Sequence, residues 1–522
     1  MFKRPDLNPR ELVPEDLRKG AIANWNGHAG RFSVYRITGY EPREGGRPKE
    51  VREPLGSIGP DGKSGEWKFK YGRSYLAARK AEALERKARE LSRKLREARK
   101  PHLTESGARA LDEVEKRSAQ LTDDRDASRI TYRLDHMLMI SLLSALAGKS
   151  SAMSIASYWR KFIGELREII PGLPDASPSH DTIRRMFQML RPSEFENFLQ
   201  EQAAPLFEKA RRSLHMDGQA VRASKTETSA SGRYALNVYD GESGLCAATL
   251  LVGDKTNEIT CGREIPSKLD LGPGDLVTAD ALSTHPPLVE YIHSTGADYC
   301  LAVKSNAGFE LEDEIDCAFK NNPTEIFHDK SVERAGDRID TRESRLLPGS
   351  TLPKDAASRW PGLRQGCVIE TTTTREFKNG RKDKTVLVRR FICSVPLKAA
   401  YKGSLKGLEE DRSSEAHDLV ERAVRGHWGV EDRLHYVLDM SWGQDRIHAH
   451  DEGYLENRLI INKQAFNILT EARRTVNERS NHRHSYNTLQ ELCSTPDGAI
   501  EYLGIAYDQG MFKQVARDAL SR

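Results

Sequence analysis

The sequence predicts an α/β protein whose core is a mixed sheet, and three observations predict it. Short apolar strands alternate with polar positions in LHMDG and in RYALNVYDGESGLCAATLLVG, which reads as two strands joined at Asp240-Gly241-Glu242-Ser243-Gly244. Strand DLVTADAL, helix PPLVEYIHSTG and strand DYCLAVKSN then follow in that order. Helical periodicity returns near Ser413 and again in GYLENRLIINKQAFNILTEARR. Strands first, then alternating helices and strands, is the element order of an RNase H-like α/β domain, expected over residues 212–309 and 413–475.

The flanking elements follow from their own patterns. Residues 1–128 read as a small basic module: RFSVYRITGY and KEVREPLGSIG alternate as strands around Gly45-Gly46, with Pro60-Asp61-Gly62 as a second turn. From Tyr75 an apolar seam through Ala77, Ala81, Leu84, Ala88, Leu91, Leu95 and Ala98 predicts a charged helix that Pro101 stops, and residues 102–128 read as linker or exposed helix. Residues 129–211 predict a helical DNA-binding domain, with an apolar helix through MLMISLLSALAG closed by Gly148. Within it, Pro178 and Ser179 start a helix whose Ile183, Met186, Phe187 and Leu190 share one face while Arg184 and Arg185 point away. Exposed arginines on an amphipathic helix are usually only solvated, but this placement also suits a DNA-reading helix. Residues 310–412, with polar alternation such as VIETTTTREF, predict a β-rich insertion, and residues 476–522 a helical tail.

Charge and cysteine usage narrow the function classes. Residues 1–100 hold 25 lysines and arginines against 14 aspartates and glutamates within a chain of net charge +4, so the remainder is net acidic. A basic arm on an acidic body suits a protein that grips a polyanion at one end and gathers carboxylates at the other. Seven cysteines without a Cys-x-x-Cys pair argue against a zinc ribbon or a disulfide framework. The longest apolar stretch, Met137 to Ala147, is too short to span a bilayer, and the charged, proline-containing start lacks a signal h-region, so a cytoplasmic protein is expected.

Phosphoryl transfer assisted by two hard cations needs converging carboxylates. Asp217 and Asp280 each stand at or near the end of a short apolar strand, and a third acid should come from a helix crossing that edge. Glu431 lies on a helix where His427, Glu431 and His435 recur every four residues, with Glu421, Asp432, Asp439 and Asp445 as competitors. The same spacing admits a His/Glu zinc hydrolase site, although His-Glu-x-x-His is missing.

LHMDGQAVRAS, KTNEI, LVTADALSTH, DYCLAVKSN, RIDTR and above all HWGVEDRLHYVLDMSWGQD with ENRLIINKQAFNIL resemble the ordered motifs of insertion-sequence DDE transposases of the H-repeat-associated branch. The resemblance spans roughly residues 130–474. It implies an RNase H-like catalytic core with a β-rich insertion, and a triad of Asp217, Asp280 and Glu431 as catalytic residues and ligands of two Mg²⁺ (or Mn²⁺) ions. It also implies auxiliary DNA-binding positions at Lys304, Asn306 and Arg338, to which Arg184, Arg185 and Arg425 are added as DNA contacts. The family's Lys after the first Asp-Gly is replaced by Gln219. The implied partners are double-stranded DNA, both element ends and target, and a second copy of the chain on that DNA, within the bacterial nucleoid and away from membranes. The alternative is an inactive or domesticated DNA-binding derivative of such an enzyme.

Overall fold

The computed structural model describes residues 2–41, 49–62, 64–72, 75–76, 79, 103–203, 212–221, 224, 233–252, 269–280, 284–304, 311–322, 327–335, 338–377, 385–396, 418–449, 451–480 and 483–510. The charged helix expected from Tyr75 to Pro101 lies largely outside them, as does Asn306. The chain forms two compact units, the first comprising residues 1–100 with two short segments at 126–129 and 169–172, the second the rest.

In the first unit β1 (Ala21–Asn26), β2 (Arg31–Glu41), β3 (Lys49–Pro60) and β4 (Trp67–Tyr71) form an antiparallel sheet in sequential order. The period-2 pattern points Phe32 and Val34 inward with Leu55 and Ile58, where Val13, Leu17 and Ala21 complete a small core. Lys68 and Lys70 alternate with Trp67 and Phe69 along β4, so positive charge stays at the surface.

The second unit begins with α1 (Glu105–Ser118), capped by the Thr104 hydroxyl. Then come α2 (Leu134–Leu146), α3 (Ala152–Lys161), α4 (Ile163–Ile169), α5 (His180–Met189) and α6 (Pro192–Ala203). All thirteen residues of α2 are buried, as an apolar helix without a polar face requires; Gly148 follows it at φ +72°. Ser179 caps α5 by accepting from the Thr182 amide, and Ile183, Met186, Phe187 and Leu190 are buried.

One sheet of nine strands organises the rest: β5 (Ser213–Val221), β6 (Arg233–Asp240), β7 (Leu245–Val252), β8 (Leu276–Ala279), β9 (Asp298–Val303), β10 (Phe327–Ala335), β11 (Arg338–Pro348), β12 (Cys367–Phe377) and β13 (Thr385–Cys393). Their order is β10-β11-β12-β13-β9-β8-β5-β6-β7. β8 runs parallel to both β5 and β9, and every other pairing is antiparallel. The fold is therefore mixed α/β on a large mixed sheet. Helix α7 (Pro286–Ser294) precedes β9 and α8 (Leu311–Asn321) follows it, after which β10 to β13 extend the sheet from the β9 edge.

Both faces of the central strands are covered, which is why they read as short apolar runs. Leu214, Met216, Val277, Ala279 and Leu301 face α7 and α8 in one core. On the opposite face Leu276, Cys300, Ile369 and Phe391 meet Leu419, Val420, Ala423 and Val424. These last residues open α9, a continuous helix made of Val420–Arg425, Gly426–Gly429, Val430–His435 and Tyr436–Trp442, the first and third of which are π-helical. Gly443 ends it at φ +60°. The long α10 (Glu452–Ser480), α11 (Tyr486–Leu492) and α12 (Pro496–Asp508) follow. Asn457 of α10 donates to the carbonyls of Phe187 and Leu190 at 2.7 and 2.9 Å, which satisfies the end of α5. Among the described residues no helix is long and apolar enough to cross a membrane.

α1 and α12 cross at two glycines. A Cβ on Gly504 would lie 2.5 Å from the Gly107 nitrogen, and one on Gly107 would lie 2.7 Å from Ile500 Cγ2. Gly504→Ala should therefore lower stability by about 1–3 kcal/mol through overpacking, read as a shifted denaturant midpoint at unchanged m-value; an unshifted midpoint would mean the helices are not in backbone contact.

Candidate active site

Parallel pairing of β5 with β8 runs Ser213↔Leu276 to Met216↔Ala279. Asp217 on β5 and Asp280 just past the end of β8 are the next residues in each segment, so two acids 63 positions apart in the chain come to neighbouring positions. Alternation puts Asp217 on the face of Ser213 and His215, and Asp280 on the face of Thr278, which is the face that α9 crosses. The Thr278 hydroxyl stands between two imidazoles, 2.8 Å from His215 Nδ1 and 2.9 Å from His427 Nδ1. With one proton to give, it can donate to only one of the rings and must accept from any ring that presents an N–H.

From α9, His435 places Nδ1 3.6 Å from Asp217 Oδ2 and Nε2 2.9 Å from Asn237 Nδ2. His427 interacts electrostatically with Asp280. Glu431 stands midway between these histidines in the helix and is solvent-exposed at residue level. Its carboxyl is raised above the usual range by partial burial and by neighbouring Asp432, against the opposing pull of Arg389. The Arg389 guanidinium lies over the Trp428 ring, 4.4 Å from its centroid. The structure thus brings Asp217 and Asp280 together under a helix that carries Glu431. It does not close the three into a cage: among the described residues no group of three or more His, Cys, Asp or Glu side chains is arranged to hold a metal ion.

Two of the competing acids, Asp439 and Glu421, have other engagements. Asp439 accepts from Gln219 Nε2 at 2.8 Å and from the Asp445 amide at 3.1 Å, while Gln444 donates to Gln219 Oε1 at 2.6 Å. Gln219 therefore ties β5 to the end of α9. Glu421 binds Arg425 at 2.7 Å.

Beside this site a groove of about 650 Å³ separates α9 from the outer strands, lined by Arg342, Arg375, Arg389, Arg422, Arg425 and Trp428 among others. Arg425 is also paired with Glu333. The other described DNA-contact candidates lie on or next to three different elements. Arg184 and Arg185 are exposed on α5, with Arg184 3.2 Å from Asp181. Lys304 is exposed immediately after β9, and Arg338 opens β11 opposite Ala335 and Phe377. Thr278, Asn237 and Arg389 escape a reading of the sequence alone, although period-2 alternation within LVTAD already sets Thr278 on the face of Asp280.

Three histidines withdrawn from water surround the acids in neutral form. Burial pushes His215 down to about 3, helped by repulsion from His427, Arg422 and Arg433. Burial likewise brings His427 to about 4, although Asp280 opposes the shift, and His435 to about 3, where Lys463 and His427 add repulsion.

Two family models match the chain. The transposase DDE domain matches residues 208–468 and the domain described as DDE_Tnp_1-associated matches residues 117–202. The chain is 25% identical to "Putative transposase YncI" of Escherichia coli O157:H7 over 68% of its own length and 86% of that protein. It is 24% identical to "H repeat-associated putative transposase YhhI" of Escherichia coli K12 over 67% of its length and 88% of that protein.

The depressed histidines predict acid sensitivity. An unfolded imidazole titrates near about 6.5, so between that pH and about 4 the unfolded chain binds protons that the folded one refuses. Stability should then fall as pH falls through this window, by up to about 1.4 kcal/mol per pH unit for each ring, and be fully present only above it. Denaturation at about pH 7.5 and about pH 5.5 checks this, and equal stabilities at the two would show rings that protonate while folded.

Proposed function

The chain belongs to the transposase DDE domain family, and from that premise we propose that it cleaves the ends of a mobile DNA element and joins them to target DNA, with Asp217, Asp280 and Glu431 as its catalytic carboxylates. The observation that carries this reading is the parallel register of β5 and β8, which sets two of the acids side by side beneath the helix bearing the third. The run β7-β6-β5-β8-β9, antiparallel on one side of β5 and parallel on the other, supports an RNase H-like core.

The donor type, three carboxylates, suits Mg²⁺ or Mn²⁺, although among the described residues the acids are not gathered into a metal-holding group. Hard cations prefer carboxylate oxygen, and the neighbouring histidines are withdrawn from water, with His215 and His427 engaged through Nδ1 by Thr278 and His435 through Nε2 by Asn237. Asp217, Asp280 and Glu431 would hold the ions, which when bound supply polarisation of the scissile phosphate and neutralisation of its developing charge. His435 orients the Asp217 carboxylate, and Thr278 with His427 fixes the neighbourhood of Asp280. Arg389 and the other guanidiniums of the groove bind phosphate oxygens and hold the strand beside the acids. Trp428 gives that strand an apolar edge.

Element ends are held by the basic first unit together with Arg184, Arg185, Lys304, Asn306, Arg338 and Arg425, and a pair of ends calls for at least two copies of the chain. The protein works in the cytoplasm on the nucleoid.

Asp217→Asn should reduce Mn²⁺-dependent nicking of a labelled element end to background while leaving end binding within about twofold; a variant that still cuts removes the assignment. End binding should weaken steeply with salt, and removal of residues 1–100 should flatten that slope in proportion to the number of phosphates the basic arm neutralises. An unchanged slope would place DNA grip elsewhere.

A further inference from the structure

We infer that Lys463, Thr249 and Asn237 are positioning residues that fix the proton of His435 on Nδ1, facing Asp217. The inference rests on the proposed role of Asp217. Asp217, Asn237 and Thr249 form one rung across β5, β6 and β7, since Asp217 pairs with Asn237 and Asn237 with Thr249. Two helices cover that rung, α9 contributing His435 and α10 contributing Lys463.

The hydrogen bonds run in one consistent direction along these side chains. Lys463 is buried in the protein and its Nζ contacts Thr249 Oγ1. An ammonium has donors and no lone pair, so the threonine oxygen accepts and its own proton goes to Asn237 Oδ1 at 2.9 Å. In this orientation the amide turns Nδ2 to His435 Nε2 at 2.9 Å. An amide nitrogen can only donate, so Nε2 accepts and the ring proton must sit on Nδ1, 3.6 Å from Asp217 Oδ2. The reversed amide would put the proton on Nε2 and turn an Nδ1 lone pair toward a carboxylate. Lys463 keeps the chain one-way: burial lowers it only to about 8, so it remains a cation at neutral pH. Glu196, itself buried, accepts the Thr249 amide at 2.9 Å and places the countercharge alongside.

The test is long-range ¹H–¹⁵N correlation on the full chain labelled with ¹⁵N-histidine, with His435 assigned through His435→Gln, together with Mn²⁺ titration followed by electron paramagnetic resonance. Wild type should show Nδ1 protonated and Nε2 bare. Thr249→Val, which keeps the shape and removes the hydroxyl, should mix the tautomers and weaken Mn²⁺ binding about 10- to 100-fold. A wild-type proton on Nε2, an unmoved tautomer in Thr249→Val, or unchanged Mn²⁺ affinity in that variant would each overturn the inference. The wild-type measurement stands even if Lys463→Met, which strands Glu196, fails to fold. If the tautomer and Mn²⁺ affinity respond as expected but Asp217→Asn still cuts DNA, the relay holds and the proposed function falls.

Discussion

The parallel register between β5 and β8 is the constraint on which the rest depends. A slip of one residue would turn Asp217 into the core of Leu214 and Met216 and expose those side chains to α9. That slip is opposed from both sides. Leu214, Met216, Val277 and Ala279 are packed beneath α7 and α8, while His215 and Thr278 are bonded to each other on the other face. The position of two carboxylates is thus enforced by apolar burial and by one hydroxyl–imidazole pair.

The helix that completes the site gains its reach from its path. Its first turns pack on the side of the sheet where β9, β12 and β13 meet, and its later turns lie over β5 and β6. Crossing strands instead of following one lets a single helix touch Thr278 through His427 and Asp217 through His435. The two π-helical segments flank the His-Trp-Gly stretch, and π turns in helices concentrate where side chains must be re-aimed. Gly426 is required on this path, because a Cβ there would meet the His215 ring at 2.8 Å. Backbone and ring share a space that any other residue would fill.

Much of this was legible in sequence, and for identifiable reasons. LHMD and LVTAD announce strands because both faces are buried, and the four-residue spacing of His427, Glu431 and His435 marks one helix face. The family's motif order supplied the rest of the mixed α/β reading. Long-range polar pairing was not legible. Asn237, Thr249 and Lys463 are residue types normally found in water, and α10 buries Asn462, Lys463, Gln464 and Asn467 along with Ile460, Ile461 and Phe466. A helix buried nearly all round has no polar face for periodicity to reveal. The pairing of Cys393 with Cys300, which attaches four more strands to the β9 edge, depends on partners that local patterning cannot see.

Neutral imidazoles stand beside the acids, His435 by Asp217 and His427 by Asp280. A neutral neighbour leaves a carboxylate its charge, whereas a cation would compete with any metal ion the carboxylate is meant to hold. Burial keeps these imidazoles neutral. Lys463, a buried cation on this side, acts at the far end of three intervening side chains, next to Glu196. The guanidiniums gather in the adjoining groove, where Arg425 is held by Glu421 and Glu333 and Arg389 by the Trp428 face. Guanidiniums thus adjoin the carboxylates, with Arg389 acting on Glu431, an arrangement suited to a polyanionic strand that must approach acids it would otherwise repel.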